Sequence, residues 1–210
     1  AQEGYGVTIF ERMQKIGGML RYGIPDFRLP PSTLDRYAEK LLTLGIHIRP
    51  NTTIGGAISV DDLFRDGYEA IFMGTGAWRA KSLGIHGETL GNCHFAVNYL
   101  QNPDVYHLGD RVAVIGSGNS AMDVARTAIR KGSRYVTIYA RRNGISASER
   151  ELEYALMDGC EIQYAKGIHS VTPEGPMMYD RVFDENQKLI SEGEPYLIPA
   201  DSTVIAASQA

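Results

Sequence analysis

Cysteine is nearly absent from this 210-residue chain. It occurs only at Cys93 and Cys160, with no Cys-x-x-Cys spacing, so neither a redox dithiol nor a cysteine-held cluster finds its ligands here. Both residues read as buried thiols. The five histidines, His47, His86, His94, His107 and His169, form no i, i+4 pair of the kind metal sites use on helices, and no metal is assigned. Long apolar runs are also lacking. Nothing approaches the roughly 20 residues that span a bilayer, and the polar start AQEGYG is not a secretory leader, which points away from a membrane and towards the cytoplasm. No run of Lys or Arg exceeds two residues and the formal net charge is -4, so the electrostatic footprint of a nucleic-acid binder is missing.

What is present is a globular composition. Hydrophobic residues make up 43% and charged residues 22%, enough for one ordinary domain or two small ones, and 23 glycines predict many tight turns. The segment GVTIFE, Gly6 to Glu11, is apolar and β-branched and predicts a strand ending on an acid, followed by a loop with Gly17 and Gly18. In STLDRYAEKLLTL, Ser32 to Leu44, the residues Leu34, Tyr37, Leu41 and Leu44 fall at helical spacing, with Ser32 as N-cap and Gly45 as stop. Short strands are expected at Ile46 to Arg49 and at Glu69 to Met73, the second leading into Gly74-Thr75-Gly76.

From Asp110 onward the pattern becomes a regular alternation. Strand Arg111 to Ile115, helix Asn119 to Lys131, strand Tyr135 to Tyr139, helix Ala147 to Asp158 and strand Glu161 to Tyr164 predict a parallel sheet. The stretch His169 to Pro199, punctuated by Pro173, Gly175, Pro176, Gly193 and Pro195, predicts a β-meander, and Ser202 to Ala206 a last strand. Polar and turn-forming residues over Gln101 to Asp110 suggest a boundary, giving subdomains 1–106 and 107–210.

Between the strand RVAVI and the helix MDVARTAIRKG lies GSGNSA, Gly116 to Ala121. Strand, glycine loop and helix in this order form a phosphate-binding turn. Gly116 permits the sharp bend, Gly118 lets backbone approach a pyrophosphate, Ala121 lets helix and strand pack closely, and free N–H groups at the helix start, with its dipole, favour the phosphate charge. A turn that needs glycine for packing alone is the alternative. At the end of the next strand, where an acid would bond the ribose hydroxyls of NAD, stand Arg141 and Arg142. Two guanidinium forks suit a 2′-phosphate, so NADPH is expected over NADH, unless the pair is only a solvated surface feature.

Glu11 ends the first strand in the corresponding ribose-binding position of a second such fold, although a solvated strand end would look the same. A glycine loop should precede that acid by about 20 residues, and only ten residues precede it. The expectation is therefore a fragment, beginning inside one dinucleotide-binding subdomain and stopping after the strand that leads to VIAASQA.

The motifs GGMLRYGIPDFRLP (Gly17 to Pro30), GTGA (Gly74 to Ala77), VIGSGNSAMDVARTA (Val114 to Ala128) and YARR (Tyr139 to Arg142) are similar to signatures of the small subunit of NADPH-dependent glutamate synthase and its relatives. Those relatives include the flavin and NADPH portion of dihydropyrimidine dehydrogenase and subunits of ferredoxin-NADP oxidoreductases. The resemblance implies an α/β flavoprotein with two Rossmann-like FAD/NAD(P)-binding subdomains, the NADPH one complete (parallel sheet plus β-meander) and the FAD one partial. It implies FAD contacts at Glu11, Gly18, Met19, Arg28 and Ile54 and, through the GTGA signature, at Thr75 and Gly76. NADPH contacts are implied at Ser117 to Ser120, at Arg141 and Arg142, and at Ala207, Ser208 and Gln209.

It further implies an oxidoreductase in which NADPH reduces FAD and electrons leave through iron–sulfur clusters held in segments outside this chain or by a partner. That partner would be the large glutamate synthase subunit or another electron-accepting subunit. Because the cofactors carry such chemistry, no catalytic side chain is assigned, and Asn119 reads equally as a helix cap. The chain alone is expected to be inactive and to bind FAD weakly or not at all, and an exposed sheet edge could drive homo-oligomers. A non-catalytic NADPH-binding or interaction module is the alternative function.

Overall fold

The computed structural model describes residues 1–207, and its chain divides into two compact units, 1–76 and 77–210. The break lies earlier than the 101–110 boundary expected from composition. The reason is that Cys93–Phe95 pairs in parallel with Ser202–Ile205, so the segment ahead of residue 107 belongs to the second unit's sheet.

The first unit contains β1 (Thr8–Phe10), α1 (Gly18–Tyr22), α2 (Pro31–Thr43), β2 (His47–Arg49) and α3 (Val60–Arg65). Its sheet has two parallel strands, β1 and β2. Helix α2 starts one residue ahead of Ser32, on Pro30 as N-cap with Pro31 in the first turn, where proline's missing N–H costs nothing. It stops as expected at Gly45, which at φ +77 turns the chain so that Ile46 N–H reaches the Leu41 carbonyl at 3.2 Å. Helix α3 is closed by a reciprocal capping box between Ser59 and Asp62. No strand forms at Glu69 to Met73. A strand needs a hydrogen-bonding neighbour, the described residues of this unit supply only the β1–β2 pair, and Phe72 and Met73 stand 95% and 74% exposed.

The second unit contains β3 (Cys93–Phe95), α4 (Ala96–Gln101), β4 (Arg111–Ile115), α5 (Asn119–Arg130), β5 (Tyr135–Tyr139), α6 (Glu149–Met157), β6 (Glu161–Gln163), β7 (Lys166–Thr172), β8 (Gly175–Phe183), β9 (Leu189–Glu192), β10 (Tyr196–Leu197) and β11 (Ser202–Ile205). Five strands form an all-parallel sheet in the order β3-β11-β4-β5-β6, and the antiparallel meander β7 to β10 follows. The expected α/β architecture of parallel sheet plus meander is what the chain forms.

The near-continuous apolar runs of β4, β5 and β11 arise because both sheet faces are covered. Val112, Val114, Val136, Ile138 and Val204 pack with Met122, Val124, Ala125 and Ala128 of α5 in the largest core cluster. Their alternates turn the other way: Ala113, Ile115 and Tyr139 pack with Met178 of the meander, and Ile205 packs with Val171 and Cys93. Each such fully buried apolar side chain contributes about 1.5–3 kcal/mol relative to exposure.

Candidate nucleotide-binding site

Strand β4 ends at Ile115, and Gly116 takes φ +151 immediately after it. A Cβ there would lie 2.6 Å from the Ala206 carbonyl oxygen, so the turn that brings β4 beside β11 admits only glycine. Gly118 is the extended N-cap of α5, and a Cβ there would meet nothing closer than Ser146 Oγ at 3.8 Å. Its lack of a side chain keeps space clear above the helix end. Ala121 is wholly buried, where a larger side chain would push α5 off the sheet. Asn119 and Ser120, in the first turn of α5, have N–H groups with no carbonyl inside the helix to meet, at the end where the helix dipole favours an anion.

A second loop is fastened onto this turn. The N–H groups of Ser146 and Ala147 donate to the Ser117 carbonyl at 2.9 and 2.8 Å, Ser148 N–H donates to Asn119 Oδ1 at 3.0 Å, and the Ser117 and Ser146 hydroxyls lie 3.2 Å apart. These bonds hold residues 147 and 148 outside the helix, so α6 begins at Glu149 with Ser148 as N-cap rather than at Ala147. They also give Asn119 its part: it is the first residue of α5, not the cap, and ties that end to the loop after Arg142.

The same loop begins with Arg141 and Arg142, both exposed. Its backbone is fixed from the meander side. Ala165 N–H donates to the Arg142 carbonyl at 3.1 Å, and buried Arg181 on β8 donates through Nη1 to the Arg141 carbonyl at 3.3 Å while its Nε bonds Glu192 on β9 at 2.9 Å.

Two adjoining recesses result. The first, about 430 Å³, is lined by Gly116, Ser117, Gly118, Ser120, Ser146 and Ala207 together with Ala80, Val97 and the end of β11. The second, about 650 Å³, is lined by Arg141, Arg142, Asn143, Gly144, Ile145 and Gln187, and it shares Ser117 and Ser146 with the first. Glycine loop and arginine pair, chosen from sequence for one ligand, thus line neighbouring recesses that meet at Ser117 and Ser146, with the N-terminus of α5 beside one and two guanidinium groups beside the other. Ser208 and Gln209 lie outside the described residues. Ser146, Val97 and Gln187 escaped the sequence reading, since each reaches the recess through tertiary contacts that no local motif announces.

The residues implied for FAD all fall in the 1–76 unit. Glu11 follows β1, and its Oε1 accepts the Met13 N–H at 2.8 Å, while its backbone carbonyl accepts from Thr52 at 2.9 Å. Gly18 and Met19 open α1, and the Met19 carbonyl accepts from Gly23 and Ile24 at 2.9 and 3.1 Å, closing that short helix. Arg28 N–H donates to the Pro25 carbonyl at 2.9 Å, Ile54 bridges Ile58, and exposed Thr75 and Gly76 end the unit without regular structure. In this unit β1 leads through the longer segment Glu11 to Gly17 into the five-residue α1, whereas Gly116 follows β4 directly and α5 runs for 12 residues.

Burial pushes Cys93 up to about 11, aided by the nearby Glu88 charge, and Cys160 up to about 12, so both stay as neutral thiols and weak nucleophiles. Glu88 itself is held below the ordinary carboxylate value: burial opposes ionisation, but hydrogen bonds from the Ser82 hydroxyl and the Leu83 and Gly84 N–H groups outweigh it. Among the described residues no group of His, Cys, Asp and Glu is arranged to hold a metal ion, and no helix is long and apolar enough to cross a membrane.

Comparison with known proteins gives the family. The pyridine nucleotide-disulphide oxidoreductase model matches residues 38–207. The small chain of NADPH-dependent glutamate synthase from Escherichia coli K12 is 28% identical over 235 residues, covering 98% of this chain and 49% of its own length. That from Azospirillum brasilense is 33% identical over 190 residues, covering 82% and 38%. The β subunit of NADP(+)-dependent formate dehydrogenase from Moorella thermoacetica is 41% identical over 149 residues, covering 68% and 21%. The chain thus spans about half or less of the length of these relatives. In fold it is similar to Mycobacterium tuberculosis FprA in complex with NADPH, with a TM-score of 0.79 at 18% identity over 97% of this chain and 64% of that one. It is also similar to the thioredoxin reductase of T. acidophilum, with a TM-score of 0.61 at 17% identity over 100% of this chain and 71% of that one. With a family model matched across most of its length, around a glycine loop and sheet of the required geometry, the chain belongs to the pyridine nucleotide-disulphide oxidoreductase family.

Proposed function

We propose that this chain is the NADPH-binding part of a flavoprotein oxidoreductase of the glutamate synthase small-subunit type. The observation that carries this reading is the pair of recesses, adjoining at Ser117 and Ser146, that are lined by the glycine loop and by Arg141 and Arg142. Asn119 and Ser120 N–H groups, at the start of α5, would take the pyrophosphate, Ser117 would lie over it, and Arg141 and Arg142 would take the 2′-phosphate. Ala207 lines the same recess, and Ser208 and Gln209, next in sequence, belong to the same proposed contact.

When both nucleotides are bound in the whole protein, the chemistry is hydride transfer from nicotinamide to flavin. The chain's own contribution is position: the loops are cross-bonded so that the nucleotide would be held extended. FAD is assigned to the whole protein through Glu11, Gly18, Met19, Arg28, Ile54, Thr75 and Gly76, and weak FAD affinity is expected of this chain, because its first unit shows no phosphate-binding turn among the described residues. Iron–sulfur clusters are assigned outside this chain or to an electron-accepting partner, such as a glutamate synthase large subunit.

Calorimetric titration of the chain with NADPH, NADH and FAD tests the reading. Loss of a bidentate contact to a charged group is worth about tenfold or more in affinity, so NADPH should bind at least about tenfold more tightly than NADH, and FAD more weakly than either. Equal affinities for NADPH and NADH would remove the role given to the arginines. A second reading keeps the nucleotide and changes the electron acceptor, favoured by the 41% identity to a formate dehydrogenase β subunit. Glutamate formation coupled to NADPH oxidation by the whole protein with its partner supports the first, and NADPH oxidation without glutamate formation supports the second.

A further inference from the structure

The turn joining β8 to β9 contains a backbone outlier. Gln187 takes φ +61, in the left-handed region, although it is neither glycine nor asparagine. The turn around it is closely determined: Gln187 N–H donates to the Asp184 carbonyl at 3.0 Å, Asp184 N–H to the Lys188 carbonyl at 2.9 Å, and Asp184 Oδ1 accepts from the N–H groups of Asn186 and Lys188 at 2.9 and 2.8 Å. Hairpin loops of this kind end on a left-handed residue that is ordinarily glycine. A glutamine there stabilises the hairpin less than glycine would, so backbone preference does not explain its presence.

Its side chain has a different setting. Gln187 is exposed and lines the second recess together with Arg141, Arg142 and Asn143, reaching it from the meander while they reach it from the loop after β5. The two walls are bonded to each other, since Arg181 on the stalk of this hairpin donates to the Arg141 carbonyl and is braced by Glu192 on the neighbouring strand. Gln187 is therefore held near the arginine pair by a buried ion-paired arginine. Strained backbone maintained by its surroundings is a common mark of a ligand contact.

Building on the NADPH reading, we infer that Gln187 is a specificity-determining residue whose side-chain amide donates to the 2′-phosphate held by Arg141 and Arg142. A carboxamide offers N–H donors without adding charge, from the meander side of the recess that Arg141 and Arg142 also line.

Two substitutions in the full chain test this. Gln187→Gly suits the left-handed turn, so its melting temperature should equal or exceed that of the parent chain, while NADPH affinity falls by about three- to tenfold through loss of one hydrogen bond to a charged group. NADH affinity should not change. Gln187→Glu keeps the size and reverses the electrostatic sense, and should weaken NADPH more than Gln187→Gly does, again sparing NADH. Unchanged NADPH affinity in both variants overturns the inference, as does a parallel loss of NADPH and NADH. Arg142→Ala separates the two readings. If the parent chain prefers NADPH and Arg142→Ala loses that preference while the Gln187 variants keep it, only Gln187 is misassigned. If the parent chain itself shows no preference, the NADPH reading fails and this inference with it.

Discussion

Glu11 and Gly116 stand in comparable local settings, each just past a short apolar strand whose neighbour runs parallel, yet the two units around them are built very differently. In the 77–210 unit the strand is third of five, covered by helices on one face and by the meander on the other, and all three core clusters belong to it. In the 1–76 unit the strand is one of two, and the buried apolar side chains are Leu34 and Leu63, while Leu20, Tyr37, Leu42, Phe64, Phe72 and Met73 remain exposed. An acid at a strand end is a local feature and needs little support to form. A glycine turn like that at Gly116 needs a helix packed closely on a strand, and among the described residues that packing is found in the 77–210 unit.

The largest expected consequence is in local stability. Amides of β4, β5 and β11 should exchange with solvent about a thousandfold or more slowly than those of β1 and β2, because buried sheet opens only with global unfolding while sparsely packed segments open separately. Hydrogen exchange followed by mass spectrometry or NMR measures this, and equal protection would abolish the contrast between the units. Next in size is the pair Met122→Ala and Leu34→Ala. Met122 is completely buried between α5 and the sheet, so its truncation should cost about 2–5 kcal/mol in urea unfolding of the second unit. Leu34, in a unit with little around it to leave a cavity, should cost about 2 kcal/mol or less.

The smallest effect sharpens what joins α5 to α6. Arg126, with 8% of its side chain exposed, bonds Asp158 through Nε at 2.8 Å and Glu151 through Nη1 at 3.2 Å, and Arg130 also reaches Asp158 at 2.8 Å. Burial opposes the Asp158 charge, but the Arg126 and Arg130 guanidinium groups outweigh it and hold the carboxyl below its ordinary value of 3.8. A lowered folded-state value means that this stabilisation is complete above the unfolded value and is lost as pH falls through the lower, folded one. Asp158→Asn should therefore lower stability by about 1–3 kcal/mol at neutral pH. The gap to the parent chain should close below about pH 4, and a gap that persists there would mean that packing rather than charge joins the two helices.

Much of the second unit was legible because its signals are local. The alternation of apolar strands with amphipathic helices, the glycine loop and the small residue at Ala121 all lie within one or two turns of the residues they act on, and β4, β5, α5 and β11 formed close to where the spacing put them. Strand β3 and helix α4 were not legible. Cys-His-Phe becomes a strand only because β11, about 110 residues later, supplies an open edge in register from Thr203 to Ile205. The opposite failure occurred at Glu69 to Met73, where an apolar run pairs with neither open edge of the β1–β2 sheet and stays irregular. The recesses divided in the same way: Gly116, Gly118, Arg141 and Arg142 were singled out from motif and spacing, whereas Ser146 comes to Ser117 through a bond across 29 residues and Gln187 lines the second recess from a distant hairpin.

By itself, then, the sequence determined which segments could be strand, helix or phosphate turn, and that guanidinium groups stand where an acid would select NAD. Those properties depend on side-chain chemistry and on periodicities of two or 3.6 residues. Tertiary structure alone decided which strands found partners, which loops were bonded over the glycine turn, and that the meander carries Gln187 to the arginines. Such outcomes depend on hydrogen-bonding edges and packed faces contributed by residues far apart in the chain, and no local pattern encodes where those residues meet.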